Sequence, residues 1–302
     1  MTDFKLLHAA ETDYLPAPKA VSGLLPPAHA LTAHEALLEW LQMRGIAYVF
    51  GNPGSTEMGM LVGLDQATTY VLALQESIVV GMADGYAQAA GKPALVNLHT
   101  GPGLGHAMGA IFTARHNRSP LVVTAGQQDS RHLAREPFLS GNLIEMAAPV
   151  VKWAVEVHRS EDLVPALERA YQIAAAAPSG PVFVSIPSDL WTGPSAIPAI
   201  RLLLQPSAPG GLDGLASALR GAKSPAIVFG AAVDRANAWD SAVAVADAFD
   251  AAAYGAPIAS RLGFPTDHPR YRGMLPPAAP RLWQALAGHD VIVLVGGPAF
   301  LV

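Results

Sequence analysis

Three segments hold residues whose types and spacing could do chemistry: the turn Gly51-Asn-Pro-Gly-Ser55, the pair Gln75-Glu76, and the stretch His99-Thr-Gly-Pro-Gly-Leu-Gly105. Glu76 follows the apolar run Val71–Leu74 and precedes Ser77-Ile-Val-Val80. A carboxylate in such surroundings needs a partner, because burying an unpaired charge is costly. Two readings stay open for it. It could cap the N-terminus of its helix, where negative charge is favoured, or it could be a desolvated carboxylate aimed at a ligand. His99 ends an apolar strand pattern and could bond a backbone carbonyl or act on a ligand. Gly101, Gly103 and Gly105 suggest a loop that a ligand approaches closely. Ser55 ends a tight turn, where a serine commonly caps the following helix. Asp84, in Met82-Ala-Asp-Gly-Tyr86, reads as structural, and the remaining histidines read as surface or packing groups.

Several chemistries are excluded by pattern. Gly101, Gly103 and Gly105 lack the G-x-G-x-x-G spacing of a dinucleotide fingerprint, and neither G-x-x-x-x-G-K-[ST] nor H-E-x-x-H occurs. Ser55 is not in the G-x-S-x-G of a nucleophile elbow. With no cysteine, thiolate nucleophiles, disulfides and Cys-based metal sites are excluded, and no metal ligand set is assigned. A net charge of −5 argues against a general nucleic-acid binder. No apolar run approaches the roughly 18–20 residues of a membrane span. The N-terminus carries Asp3, Lys5 and Glu11 and no long apolar core, so it does not read as a secretory signal, and the expected compartment is the cytoplasm.

These residues need elements to position them. The chain has 302 residues, of which 51% are apolar and 55 are alanine, enough for two domains with real cores. Residues 1–30, with Pro16, Pro18, Pro26 and Pro27, read as an N-terminal extension. Thr32 with Glu35 forms a capping box ahead of a helix that ends near Gly45. Strands are expected at 47–50, 70–74, 94–98, 121–125 and 182–186, with helices at 76–90, 106–116 and 162–177 and a loop over 99–105. Apolar strands alternating with helices predict a doubly wound parallel α/β sheet. Prolines 187, 194, 198, 206 and 209 mark a linker, placed at 191–211. A second α/β pattern follows over 212–302, with helices near 212–221, 236–249 and 280–287 and strands near 226–229, 252–254 and 291–295. In open parallel sheets, ligands bind beyond the carboxyl ends of the strands, which is where the three polar segments fall.

In combination, Phe50–Ser55, Leu72-Ala-Leu-Gln-Glu76, Ala83-Asp-Gly-Tyr-Ala87, Asn97-Leu-His-Thr-Gly-Pro-Gly103 and Ser119–Gln127 resemble the pyrimidine-binding domain of thiamine-diphosphate-dependent enzymes. Within that family the benzoylformate decarboxylase group is the most similar. Phe50–Ser55, Leu72–Glu76, Asn97–His99, Ala107-Met-Gly-Ala110 and Val123–Gln128 carry that narrower resemblance, and Ser224–Gly230 and Phe264–Pro276 are similar to the group's middle domain. The resemblance implies a pyrimidine-binding domain over 31–190 and an incomplete, Rossmann-like middle domain over 212–302. It implies that Glu76 hydrogen-bonds the aminopyrimidine of thiamine diphosphate and helps activate its thiazolium carbon, with Asn52, Pro53 and Gly54 bordering the cofactor. It also implies that His99 moves protons around the substrate and that Ser55 bonds the substrate carboxylate. The family's diphosphate-binding domain carries Gly-Asp-Gly and paired asparagines for the diphosphate and Mg2+. Neither motif occurs in these residues. The expectation is therefore the N-terminal portion of a 2-oxo-acid decarboxylase, inactive until that domain is supplied. Its partners would be a 2-oxo acid and either a second copy or a chain carrying the diphosphate-binding domain. An acetolactate-synthase-like carboligase and a non-catalytic dimerisation module are the alternatives.

Overall fold

Thr32 caps the first helix as the sequence predicts. Its hydroxyl accepts the Glu35 N–H at 3.2 Å, and the Glu35 carboxylate accepts the Thr32 N–H at 2.8 Å, which satisfies two donors at the start of a helix. The computed structural model describes residues 31–64, 68–198 and 210–297. The expected extension at 1–30, and 199–209 of the expected linker, lie outside the described residues.

From that cap the chain runs α1 (Ala33–Met43), β1 (Tyr48–Asn52), α2 (Met58–Leu61), β2 (Thr69–Leu72), α3 (Glu76–Ala90), β3 (Ala94–Leu98), α4 (Thr100–His116), β4 (Leu121–Gln127), α5 (Leu143–Ala147), β5 (Ala154–Glu156), α6 (Ser160–Ala175) and β6 (Val182–Pro187). Further on come α7 (Leu212–Gly221), β7 (Pro225–Phe229), α8 (Ala231–Arg235), α9 (Trp239–Ala248), β8 (Ala252–Gly255), β9 (Tyr271–Met274), α10 (Ala279–Leu286) and β10 (Val291–Val295).

The first sheet has six parallel strands in the order β2-β1-β3-β4-β6-β5. Its two faces fill alternately, as a pleated strand requires. Val49, Leu95, Val122, Val182 and Val184 pack with α1 and α6 on one side. Phe50, Val96, Val123 and Phe183 pack with α3, α4 and α5 on the other. This is the expected doubly wound α/β arrangement, covered on both faces. The second sheet is also parallel, ordered β10-β7-β8-β9. Ile227 and Phe229 face one of its cores and Val228 the other.

Four local expectations need correction. The stretch 101–105 is helix rather than loop, because α4 begins at Thr100. The helix expected at 236–249 is α9, which starts only at Trp239, after the separate short helix α8 and a break at Asn237, whose φ is +50°. The short strands β5 and β9 carry too few residues to show a period-two pattern.

Candidate functional site

Strand order decides where the site lies. From β1 the chain moves to one side to form β2, then crosses back to place β3 on the other side of β1. The loops after β1 and β3 therefore diverge, and ligands bind in the crevice at such a switch point. All three chemically interesting segments end there: Asn52–Ser55 after β1, Glu76 after β2, and His99 after β3.

Glu76 occupies the first turn of α3, but the capping bond belongs to Gln75, whose side chain accepts the Ile78 N–H at 3.1 Å. Glu76 is thus released from the capping role. Its buried carboxylate instead takes a hydrogen bond from Asn52 Nδ2 on Oε1 at 3.1 Å, and Oε2 lies 3.2 Å from His106 Nδ1. Across from it, Gly103 has no side chain. A Cβ there would sit 3.4 Å from Glu76 Oε1 and 3.6 Å from His99 Cβ. Position 103 of α4 thus lies within van der Waals reach of both groups.

His99 bonds no backbone carbonyl through its ring. Its Nδ1 lies 2.8 Å from Glu57 Oε2 and 3.3 Å from Thr56 Oγ1. Glu57 is almost fully buried and also accepts the Gly54 N–H at 2.7 Å and the Thr56 hydroxyl at 2.6 Å. A carboxylate can only accept, so the network assigns a proton to Nδ1 of His99, and in the neutral ring this leaves Nε2 as the acceptor. The ring lies against Gly54, where any side chain would collide with it. Thr100, the next residue, is fully buried with φ at +48°, and its Oγ1 has no hydrogen-bond partner. A β-branched residue rarely adopts that conformation, and such strain concentrates at functional sites.

The structure therefore brings Asn52, Gly54, Glu76 and His99 together. Pro53 is half-buried in the same turn, and Ser55 stands exposed at the start of the 3-10 turn Ser55–Glu57. Asp84 is structural, as expected: it accepts from Gln88, Asn117 and Ser119. Two participants escaped sequence reasoning. Glu57 was visible only as an acid two residues past Ser55. His106 gave no signal, because its neighbour Glu76 lies thirty positions away. Tyr70 also belongs to this wall: its hydroxyl donates to Asn97 Oδ1 at 3.0 Å, and burial together with the Glu57 charge raises its pKa above the ordinary phenol value.

Comparison with known proteins identifies the family. Residues 31–146 match the model of the thiamine pyrophosphate enzyme N-terminal TPP binding domain, and residues 212–300 match that of the thiamine pyrophosphate enzyme central domain. The chain belongs to the thiamine-diphosphate-dependent enzymes. It is 41% identical to benzoylformate decarboxylase from Pseudomonas aeruginosa over 276 residues, covering 89% of this chain and 52% of that protein. The solved thiamine diphosphate-dependent 4-hydroxybenzoylformate decarboxylase of Rhodococcus jostii superposes with a TM-score of 0.85 at 39% identity, covering 90% of this chain and 53% of that one. The acetolactate synthase large subunit of Haemophilus influenzae is 33% identical over 161 residues, 53% of this chain and 28% of that protein. The chain spans about half the length of the decarboxylases it matches. Among the described residues, no helix is long and apolar enough to cross a membrane.

Proposed function

We propose that this chain is the N-terminal portion of a thiamine-diphosphate-dependent decarboxylase of aromatic 2-oxo acids such as benzoylformate, working in the cytoplasm. The observation that carries the reading is the buried Glu76 carboxylate at the switch point, oriented by Asn52 and flanked by Gly103 of α4. A carboxylate oriented by Asn52 suits the protonated ring nitrogen of an aminopyrimidine, and Thr100, next to His99, carries a buried Oγ1 with no hydrogen-bond partner, a polar group left unsatisfied.

Bound there, the cofactor supplies the electron sink that decarboxylation needs. On this reading each residue has a separate task. Glu76 holds a proton against a ring nitrogen, and Asn52 fixes the carboxylate's orientation. Pro53 and Gly54 border the ring. His99, with Nδ1 tied to Glu57, offers Nε2 for proton transfer at the substrate. The Ser55 hydroxyl bonds the substrate carboxylate.

Among the described residues, no group of three or more His, Asp or Glu could hold a metal ion. The proposal assigns Mg2+ and the diphosphate to a diphosphate-binding domain on a further segment or another chain, and activity waits on it. It also takes 1–30 as an extension, 31–190 as the pyrimidine domain, 191–211 as a linker and 212–302 as part of a middle domain, with pairing to a second copy through the pyrimidine domain. A carboligase reading is supported by the acetolactate synthase similarity, but that similarity covers much less of the chain than the decarboxylase match does.

The test mixes this chain with one carrying the diphosphate-binding domain, adds thiamine diphosphate and Mg2+, and follows benzoylformate and pyruvate separately. Loss of benzoylformate is expected. Acetolactate formed from pyruvate would favour the carboligase. A mixture inert toward both would favour a non-catalytic module.

A further inference from the structure

A buried carboxylate that holds a proton against a ring nitrogen must first take that proton up, and burial limits its access to water. Glu76 has only 11% of its side chain exposed, and Asn52, on its Oε1, cannot carry a proton away. His106 touches the other oxygen, with Nδ1 3.2 Å from Oε2, while 66% of its own side chain is exposed. That imidazole opens into a second cavity of about 670 Å³ between the start of α4 and the segment 138–146. The rest of that wall is glycine, proline, apolar or neutral polar, including Phe138, Leu139 and Met146, so His106 is its only titratable side chain.

We propose that His106 relays protons between solvent and Glu76. The inference deepens the functional reading above and takes its catalytic meaning from it. A proton arriving from water on Nε2 makes the ring cationic. The Nδ1–H bond then breaks as an Oε2–H bond forms, leaving a neutral imidazole and a neutral carboxyl. The reverse step returns the proton to water, so atoms and charge balance over a cycle.

The other titratable groups on neighbouring elements are engaged elsewhere or remote in the fold. His99 and Glu57 hold each other. Asp84, further along α3, accepts from Gln88, Asn117 and Ser119. Arg115 and His116, at the far end of α4, bond to the Pro149 and Phe112 carbonyls. Tyr48 of β1 packs edge-on against Tyr86, and Glu145 of α5 is exposed.

NMR on the chain alone tests the coupling, with 13C at the glutamate carboxyl carbons and 15N in the histidine rings. In the parent chain the Glu76 carboxylate is expected to hold the His106 Nδ1–H, so Glu76→Gln should move the His106 Nδ1 resonance and change its tautomer balance, and His106→Gln should move the Glu76 carboxyl carbon. Resonances that ignore the partner's substitution would overturn the relay. No cofactor is present, so this result is separable from failure of the decarboxylase reading. In a mixture where the parent chain is active, His106→Gln should lose roughly 100-fold in rate, and added imidazole should restore part of it. Activity unchanged by the substitution, or a loss that imidazole does not rescue, would also overturn the relay.

Discussion

Gly126 shows how tightly single residues constrain this site. It lies in β4, and any Cβ there would run into Glu57 Oε1 and Thr56 Oγ1. The glycine therefore makes room for the carboxylate that orients His99. Gly126→Ala forces that pair to shift within a packed wall, where overpacking costs about 1–3 kcal/mol. The expected result is a lower midpoint of urea unfolding with an unchanged slope, together with reduced activity in the reconstituted mixture. Ser55 predicts the opposite pattern. It is exposed, and the cap position of its turn belongs to Gly54. Ser55→Ala should leave stability within about 0.5 kcal/mol of the parent, yet raise KM for the 2-oxo acid if its hydroxyl bonds the substrate carboxylate. Equilibrium unfolding and steady-state kinetics on the same preparation separate the two effects.

Among the elements, α1 and α6 are held by one buried acid. Glu168 accepts from Trp40 Nε1 at 2.9 Å, Arg44 Nε at 2.8 Å and Gln172 Nε2 at 2.8 Å. Burial alone would raise its pKa, but the bonds from Arg44, Gln172 and Trp40 outweigh it and hold the carboxyl below its ordinary value of 4.5. A depressed carboxylate stabilises the fold above its unfolded-state pKa, and that contribution is lost as pH falls through the lower folded value. Glu168→Gln removes the negative charge that Arg44 faces in this buried cluster and should cost about 3 kcal/mol at pH 7. The deficit relative to the parent should shrink as pH is lowered below 4.5, as thermal unfolding across pH would measure. The same scale explains what the sequence revealed. The Thr32–Glu35 box and the alternating apolar strands are local signals, so α1 and the parallel sheet were legible. The start of α4 was not. Gly101, Gly103 and Gly105 each weaken a helix by up to about 1 kcal/mol relative to alanine, which suggested a loop. Packing of α4 against α3 and α5 overrides that preference. Glu57 and His106 stayed hidden for a related reason: their partners lie 42 and 30 residues away, and only the tertiary fold joins them.

For the whole molecule, sheet topology and chemistry coincide. Crossing back from β2 to β3 opens a crevice at β1, and the carboxylate, the imidazole and the glycine surface all converge on it. Family membership rests on matches along both sheets, and the functional reading rests on Glu76 acting at the cofactor ring. The most direct measurement compares the parent chain with Glu76→Gln in the reconstituted mixture with thiamine diphosphate and Mg2+, recording the initial rate of benzoylformate loss. Glutamine keeps the shape and the contact with Asn52 but cannot exchange a proton. The account predicts a loss of roughly 100-fold or more in rate with the fold intact by circular dichroism. A Glu76→Gln chain that decarboxylates at the parent rate would contradict it.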